Sequence, residues 1–166
     1  MLKVLIADDE EKICQLIIKL INWEEMGLKI AATASNGIEA LEQAKICKPE
    51  ILITDIRMPG IDGMELIRKV KEKLPDTEII IISGYRHFEY AQTAIRYGVR
   101  NYLLKPIKKE ELRDTLQKIA DIYREKNEQL NFEERVRLAL KNDAGKLRTS
   151  FISRMIYGDR ERENII

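Results

Sequence analysis

The 166-residue chain has two cysteines, one histidine, one tryptophan and four prolines. Cys14 and Cys47 fall in stretches with helical periodicity and show no metal-ligand spacing, which excludes a disulfide scaffold and a cysteine-based zinc site. Both are expected to be free thiols in a reducing cytoplasm. The start, MLKVLIADDE, lacks the apolar run and small-residue cleavage site of a signal peptide, and no segment has the length and apolarity of a membrane span. Charge of one sign is also missing: 29 basic against 28 acidic residues leave a net charge of +1, with no global pull toward nucleic acid or membrane. Neither a Walker A nor a GxGxxG pattern is present, which disfavours nucleotide binding. His87, the single histidine, follows Ser83 at the start of a predicted helix and reads as a surface or capping residue, not as a phosphodonor.

Hydrophobic residues make up 45% of the chain, enough at this length for one full core and a small appendage. Strand and helix signals alternate as far as about residue 126. Val4-Leu5-Ile6, Leu28 to Ala34, Ile51-Leu52-Ile53, Ile79 to Ile82 and Asn101 to Leu104 read as strands. Between them, apolar residues recur at helical spacing at Ile13, Leu16, Ile17 and Leu20, at Ile38 and Leu41, at Met64, Ile67 and Val70, and at Phe88, Ala91 and Ala94. The third strand is apolar without alternation, which suits burial on both faces. Alternation of this kind predicts an α/β fold, a doubly wound parallel sheet of five strands, because parallel neighbours need right-handed helical crossovers.

From Lys108 one long helical stretch is predicted, carrying Leu112, Leu116, Ile119, Tyr123 and Leu130 in steps of three and four. Its first part suits the last helix of the core and its continuation to about Leu140 a linker or short coiled coil. Asp143-Ala144-Gly145 is expected to break it; Leu147, Phe151, Ile152, Met155 and Ile156 suggest a further amphipathic helix, and Arg160 to Glu163 a solvated tail.

Four of the five strands run directly into polar groups: Asp8-Asp9, Asp55, Ser83 and Lys105. Singly, each has an ordinary explanation as a cap or turn former. Parallel strands, however, share one carboxyl edge, where α/β sheets bind ligands, so three carboxylates, a hydroxyl and an ammonium converge. Three carboxylates need a cation. A Mg²⁺ ion with oxygen ligands answers that need, with Asp8 and Asp9 as carboxylate ligands and the Arg57 carbonyl as a further one. Asp55, in a turn-rich loop after the central strand, is then placed to take up a phosphoryl group as nucleophile. Lys105 would pair with Asp55 in the empty site and with phosphoryl oxygens in the filled one, and Ser83 would donate to the same oxygens.

These residues closely resemble the receiver domain of two-component response regulators. The resemblance rests on Asp8-Asp9, Asp55 within DIRMPGIDG, Ser83-Gly84 and Lys105-Pro106, and covers about residues 1–125, leaving 126–166 as a helical linker or the start of a downstream region. It implies a flavodoxin-like sheet of order 2-1-3-4-5 with an extended C-terminal helix, Asp55 as phosphoacceptor, and Asp8 and Asp9 as Mg²⁺ ligands together with Asp55 itself. It also implies Ser83 and Tyr102 as a switch pair, Lys105 as the phosphate-sensing lysine, and a cis Lys105-Pro106 bond. Arg57 departs from the small amide that the chemotaxis receiver carries two residues after its acceptor. Trp23, Gly27, SGYRHFEYAQTAIRYGV and NYLLKP are similar to regulators with an AraC-type helix-turn-helix output. The implied partners are a sensor histidine kinase, a second copy on activation, and DNA through an output domain of about a hundred further residues that this sequence does not contain.

The resemblance implies a cytoplasmic signalling switch, not an enzyme with multiple turnover. Two alternatives stand beside it. One is a stand-alone receiver acting by protein contact. The other is a phosphohydrolase of the haloacid-dehalogenase type, which would require Asp-x-Asp at the nucleophile, where this chain has Asp55-Ile56-Arg57.

Overall fold

A computed structural model describes residues 1–84 and 88–142, apart from the side chains of Phe88 and Asn142. The expectations for His87, for the break at Asp143-Ala144-Gly145, for a helix over Leu147 to Ile156 and for the Arg160 to Glu163 tail lie outside the described residues. The chain divides into two units, the first being Met1–Asp121 and the second beginning at Ile122.

In the first unit, strands β1 (Leu2–Ala7), β2 (Leu28–Ala34), β3 (Ile51–Thr54), β4 (Glu78–Ser83) and β5 (Asn101–Leu104) form one parallel sheet in the order β2-β1-β3-β4-β5. Helices α1 (Glu11–Leu20), α2 (Gly37–Cys47), α3 (Gly63–Lys73) and α4 (Phe88–Arg96) supply the crossovers. The expected fold class and strand order are both present. Helix α5 (Lys109–Asn142) follows β5 and continues into the second unit.

Alternation along the strands divides the core between the two faces of the sheet. Leu5, Leu52, Ile79 and Ile81 pack with Ala40, Ala44, Leu66, Ile67, Val70 and Ala94 of α2, α3 and α4. The intervening Val4, Ile6, Ile51, Ile53, Ile80 and Ile82 are equally buried, as are Ile17 of α1 and Leu112, Leu116 and Ile119 of α5. Burial on both faces explains why β3 and β4 read as unbroken apolar runs. Edge strand β2 has a register shift opposite Val4/Leu5, and its exposed positions carry Lys29, Ala31 and Thr33.

The helix boundaries follow local chemistry. Asn36 caps α2 by accepting the Glu39 N–H at 2.8 Å, and Glu39 reaches back to the Ser35 N–H and hydroxyl. Asp62 caps α3 through the Glu65 N–H at 2.9 Å. Gly98, at φ +82°, ends the turn after α4 in the left-handed region that glycine enters at little cost. In the second unit, Leu130, Phe132, Leu138 and Leu140 of α5 are exposed. Among the described residues no helix is long and apolar enough to cross a membrane, and Cys14 and Cys47 are free, the first of them buried.

Candidate functional site

The register of the three central strands sets out the site. Ala7 pairs with Thr54, and the Asp55 N–H donates to the Ala7 carbonyl at 3.0 Å, so Asp8 and Asp55 leave the sheet side by side. Ser83 pairs with Leu104, and its carbonyl accepts the Lys105 N–H at 2.9 Å. The polar groups expected from the strand ends therefore share one edge.

The loop after β3 is clamped from below. The Gly63 N–H donates to the Ile56 carbonyl at 2.6 Å, and the Thr54 hydroxyl donates to the Asp55 carbonyl at 2.9 Å. A Cβ on Gly63 would overlap the Asp55 carbonyl oxygen, and one on Gly37 would overlap the carbonyl of Ile61. Both helix-opening glycines thus let backbone approach backbone, which fixes the chain around Asp55.

Asp8 and Asp55 are held alike. Asp55 Oδ1 accepts its neighbour's N–H, from Ile56, at 2.7 Å, and Asp55 Oδ2 accepts from Lys105 Nζ at 2.9 Å. Asp8 Oδ1 accepts the Glu10 N–H at 2.9 Å, and Asp8 Oδ2 accepts from the same ammonium at 3.1 Å. Each carboxylate spends one oxygen on backbone and one on Lys105. Asp8 and Asp55 are only 3% and 6% exposed, so one ammonium faces two desolvated carboxylates.

The electrostatics follow from that imbalance. Burial pushes the Asp8 carboxyl above its ordinary range, against the Glu10 N–H and Lys105, with the Asp55 charge adding to the rise. For Lys105, burial opposes the ammonium, but its hydrogen bond and charge interaction with Asp55, followed by those with Asp8, outweigh burial and hold it above the ordinary lysine value. Tyr102 is raised by burial, with Asp55 contributing, while a side-chain hydrogen bond with Ser83 works the other way. Ser83 is fully buried, and its side chain is hydrogen-bonded with Tyr102.

Ligand oxygens of Asp8, Asp9 and Glu10 lie within 4.8 Å of one another, the first residue buried and the other two exposed. This anionic, all-oxygen donor set fits a hard divalent cation. Glu10 is the member that sequence reading did not select as a ligand; it reads there only as a helix-start acid, and the turn closed by Asp8 Oδ1 on its N–H brings it in. Arg57 is exposed, next to buried Ile56.

Residues 4–117 match the response regulator receiver domain family. The chain belongs to that family. It is 40% identical over 139 residues to the transcriptional regulatory protein YesN of Bacillus subtilis (strain 168), a match covering 80% of this chain and 38% of that protein. It is 40% identical over 107 residues to the transcriptional regulatory protein HptR of Staphylococcus aureus (strain N315), covering 64% of this chain and 42% of the other. The chain therefore spans less than half the length of these relatives. Among solved structures, the receiver domain of the response regulator AraT from Geobacillus stearothermophilus aligns with a TM-score of 0.73 at 41% identity, covering 76% of this chain and 98% of that one. A two-component transcriptional regulator AraC from Clostridium phytofermentans aligns with a TM-score of 0.68 at 36% identity, covering 73% and 94%.

Proposed function

We propose that Asp55 is the phosphoacceptor of a two-component response regulator, taking a phosphoryl group from the phosphohistidine of a sensor kinase. The observation that carries this reading is the placement of the Asp55 carboxylate, held by Lys105 Nζ and the Ile56 N–H beside the Asp8–Asp9–Glu10 cluster. Asp55 oxygen attacks phosphorus, the phosphorus–nitrogen bond breaks, and imidazole leaves with the electron pair and takes up a proton. Asp8 and Asp9, with the Arg57 carbonyl and Asp55 itself, would hold Mg²⁺, whose charge offsets that of the phosphoryl oxygens. Lys105 then exchanges part of its contact with Asp55 and Asp8 for the new oxygens. The Ser83 hydroxyl turns to donate to them as well, which releases Tyr102 to change position. Such a domain catalyses its own phosphorylation and dephosphorylation but turns over no separate substrate.

In this reading residues 1–125 are the receiver and 126–166 the linker to a DNA-binding output, in a cytoplasmic protein whose phosphorylation changes dimer or partner contacts. The transcriptional names of YesN and HptR, and the AraC-type regulator among the similar structures, support that assignment. Incubation with a small-molecule phosphodonor, with and without Mg²⁺, followed by intact mass measurement, tests it. Wild type gains one phosphoryl group only with Mg²⁺; an equal yield on Asp55→Ala removes Asp55 from the role.

A further inference from the structure

Helices α2 and α3 lie side by side, and their C-terminal halves enclose a half-open cavity of about 190 Å³. Its floor is apolar, made by Leu41, Ala44, Val70 and Leu74. Its remaining lining residues are Lys45, Lys48, Lys69 and Lys73. Because crossover helices run antiparallel to their strands, these helix ends belong to the edge of the sheet opposite the one that carries Asp55.

Lysines near helix C-termini ordinarily complement the helix dipole. That role requires neither an apolar floor nor the approach of two ammonium groups. Here the exposed Lys73 side chain lies against that of Lys45, and contact with Lys45, then its charge, with a smaller contribution from Lys69, hold Lys73 below the ordinary lysine value. Of the nearby acids of α3, Glu65 and Glu72 are both engaged by Arg68, and the charge of Glu72 only partly offsets the repulsion at Lys73. Among the described residues none of the four lysines is in an ion pair. The lining is thus four positive charges without a negative one, around an apolar floor of half-buried Leu41 and Leu74 over buried Ala44 and Val70.

We propose that this cavity binds a small organic anion, an aromatic ring or short alkyl chain seated on Leu41 and Leu74 with its carboxylate or phosphate held by Lys45 and Lys73. An apolar cavity of roughly 150 Å³ accommodates benzene, so the volume here suits a ring of that size bearing one substituent. Inorganic anions leave the floor wet, and neutral rings leave the lysines opposed. Only a ligand with both parts satisfies the site.

Amide NMR titration of the full chain without Mg²⁺ tests this, with phenylphosphonate, inorganic phosphate and benzyl alcohol as probes. Phenylphosphonate is expected to give saturable shifts in residues 41–48 and 69–74, at least tenfold tighter than either of the other probes. Lys45→Gln/Lys73→Gln, two exposed positions whose change leaves the core intact, is expected to weaken it at least tenfold. Equal affinity for inorganic phosphate or benzyl alcohol, an unchanged affinity in the double variant, or the absence of saturable shifts in those segments overturns the proposal.

Discussion

Lys105 Nζ lies 2.9 Å from Asp55 Oδ2, and at 3.1 Å it also meets Asp8 Oδ2. A single ammonium therefore compensates two buried carboxylates. Lys105→Met leaves both without a counter-charge, and stripping one partner from a buried ion pair costs about 3 kcal/mol or more. Urea denaturation of the metal-free variant checks this, and adding Asp55→Asn to Lys105→Met is expected to restore part of the loss.

The same pair contributes to the loss of stability at alkaline pH. Lys105 is raised in the folded state, so the unfolded chain loses this proton first, near the ordinary value of 10.5. Its contribution is complete below that pH and is lost as pH rises from there through the folded value. Thermal melts above pH 10 are expected to fall more steeply for wild type than for Lys105→Met; parallel slopes would contradict the coupling.

Gly63 gives a test of backbone packing. A Cβ there would lie 2.0 Å from the Asp55 carbonyl oxygen, whereas Gly98 is constrained only by its φ of +82°. Gly98→Ala is expected to cost about 1 kcal/mol. Gly63→Ala must displace the backbone that carries Asp55, with a cost of about 3 kcal/mol and slower phosphorylation. Chemical denaturation and the rate of adduct formation report the two effects separately.

Asp8 tests the metal assignment. Its carboxyl is raised mainly by burial, so in the folded protein its ionised form is disfavoured, and the penalty is relieved as pH falls through the folded value. A divalent cation removes the same penalty at neutral pH. Mg²⁺ is expected to raise the thermal midpoint of wild type, and Asp8→Asn to abolish most of that rise, measured by melts across a Mg²⁺ series.

Much of this was legible in the sequence for a physical reason. β3 and β4 are buried on both faces, so Ile51–Ile53 and Ile79–Ile82 had to be continuous apolar runs, and each run ends where its polar residue begins. Asn36 and Asp62, the residues before the two helix-opening glycines, cap α2 and α3 in the structure. Strand order was not written in any strand; it came with the family resemblance. The need for glycine at position 63 was hidden, because Asp62-Gly63 reads as an ordinary turn and the overlap involves backbone eight residues away. The sharing of Lys105 between Asp8 and Asp55 was hidden too, since spacing along the chain sets no side-chain distances. Glu10 carried no signal beyond that of a helix-start acid.

The assignment of Asp55 is tested most directly by locating the phosphoryl group itself. After reaction with a small-molecule phosphodonor and Mg²⁺, borohydride converts an aspartyl phosphate into homoserine, which peptide sequencing by mass spectrometry places to the residue. Homoserine at position 55, absent when Mg²⁺ is withheld, is the predicted result. Homoserine at position 8 or 9, or a phosphoryl adduct with position 55 unmodified, would contradict it.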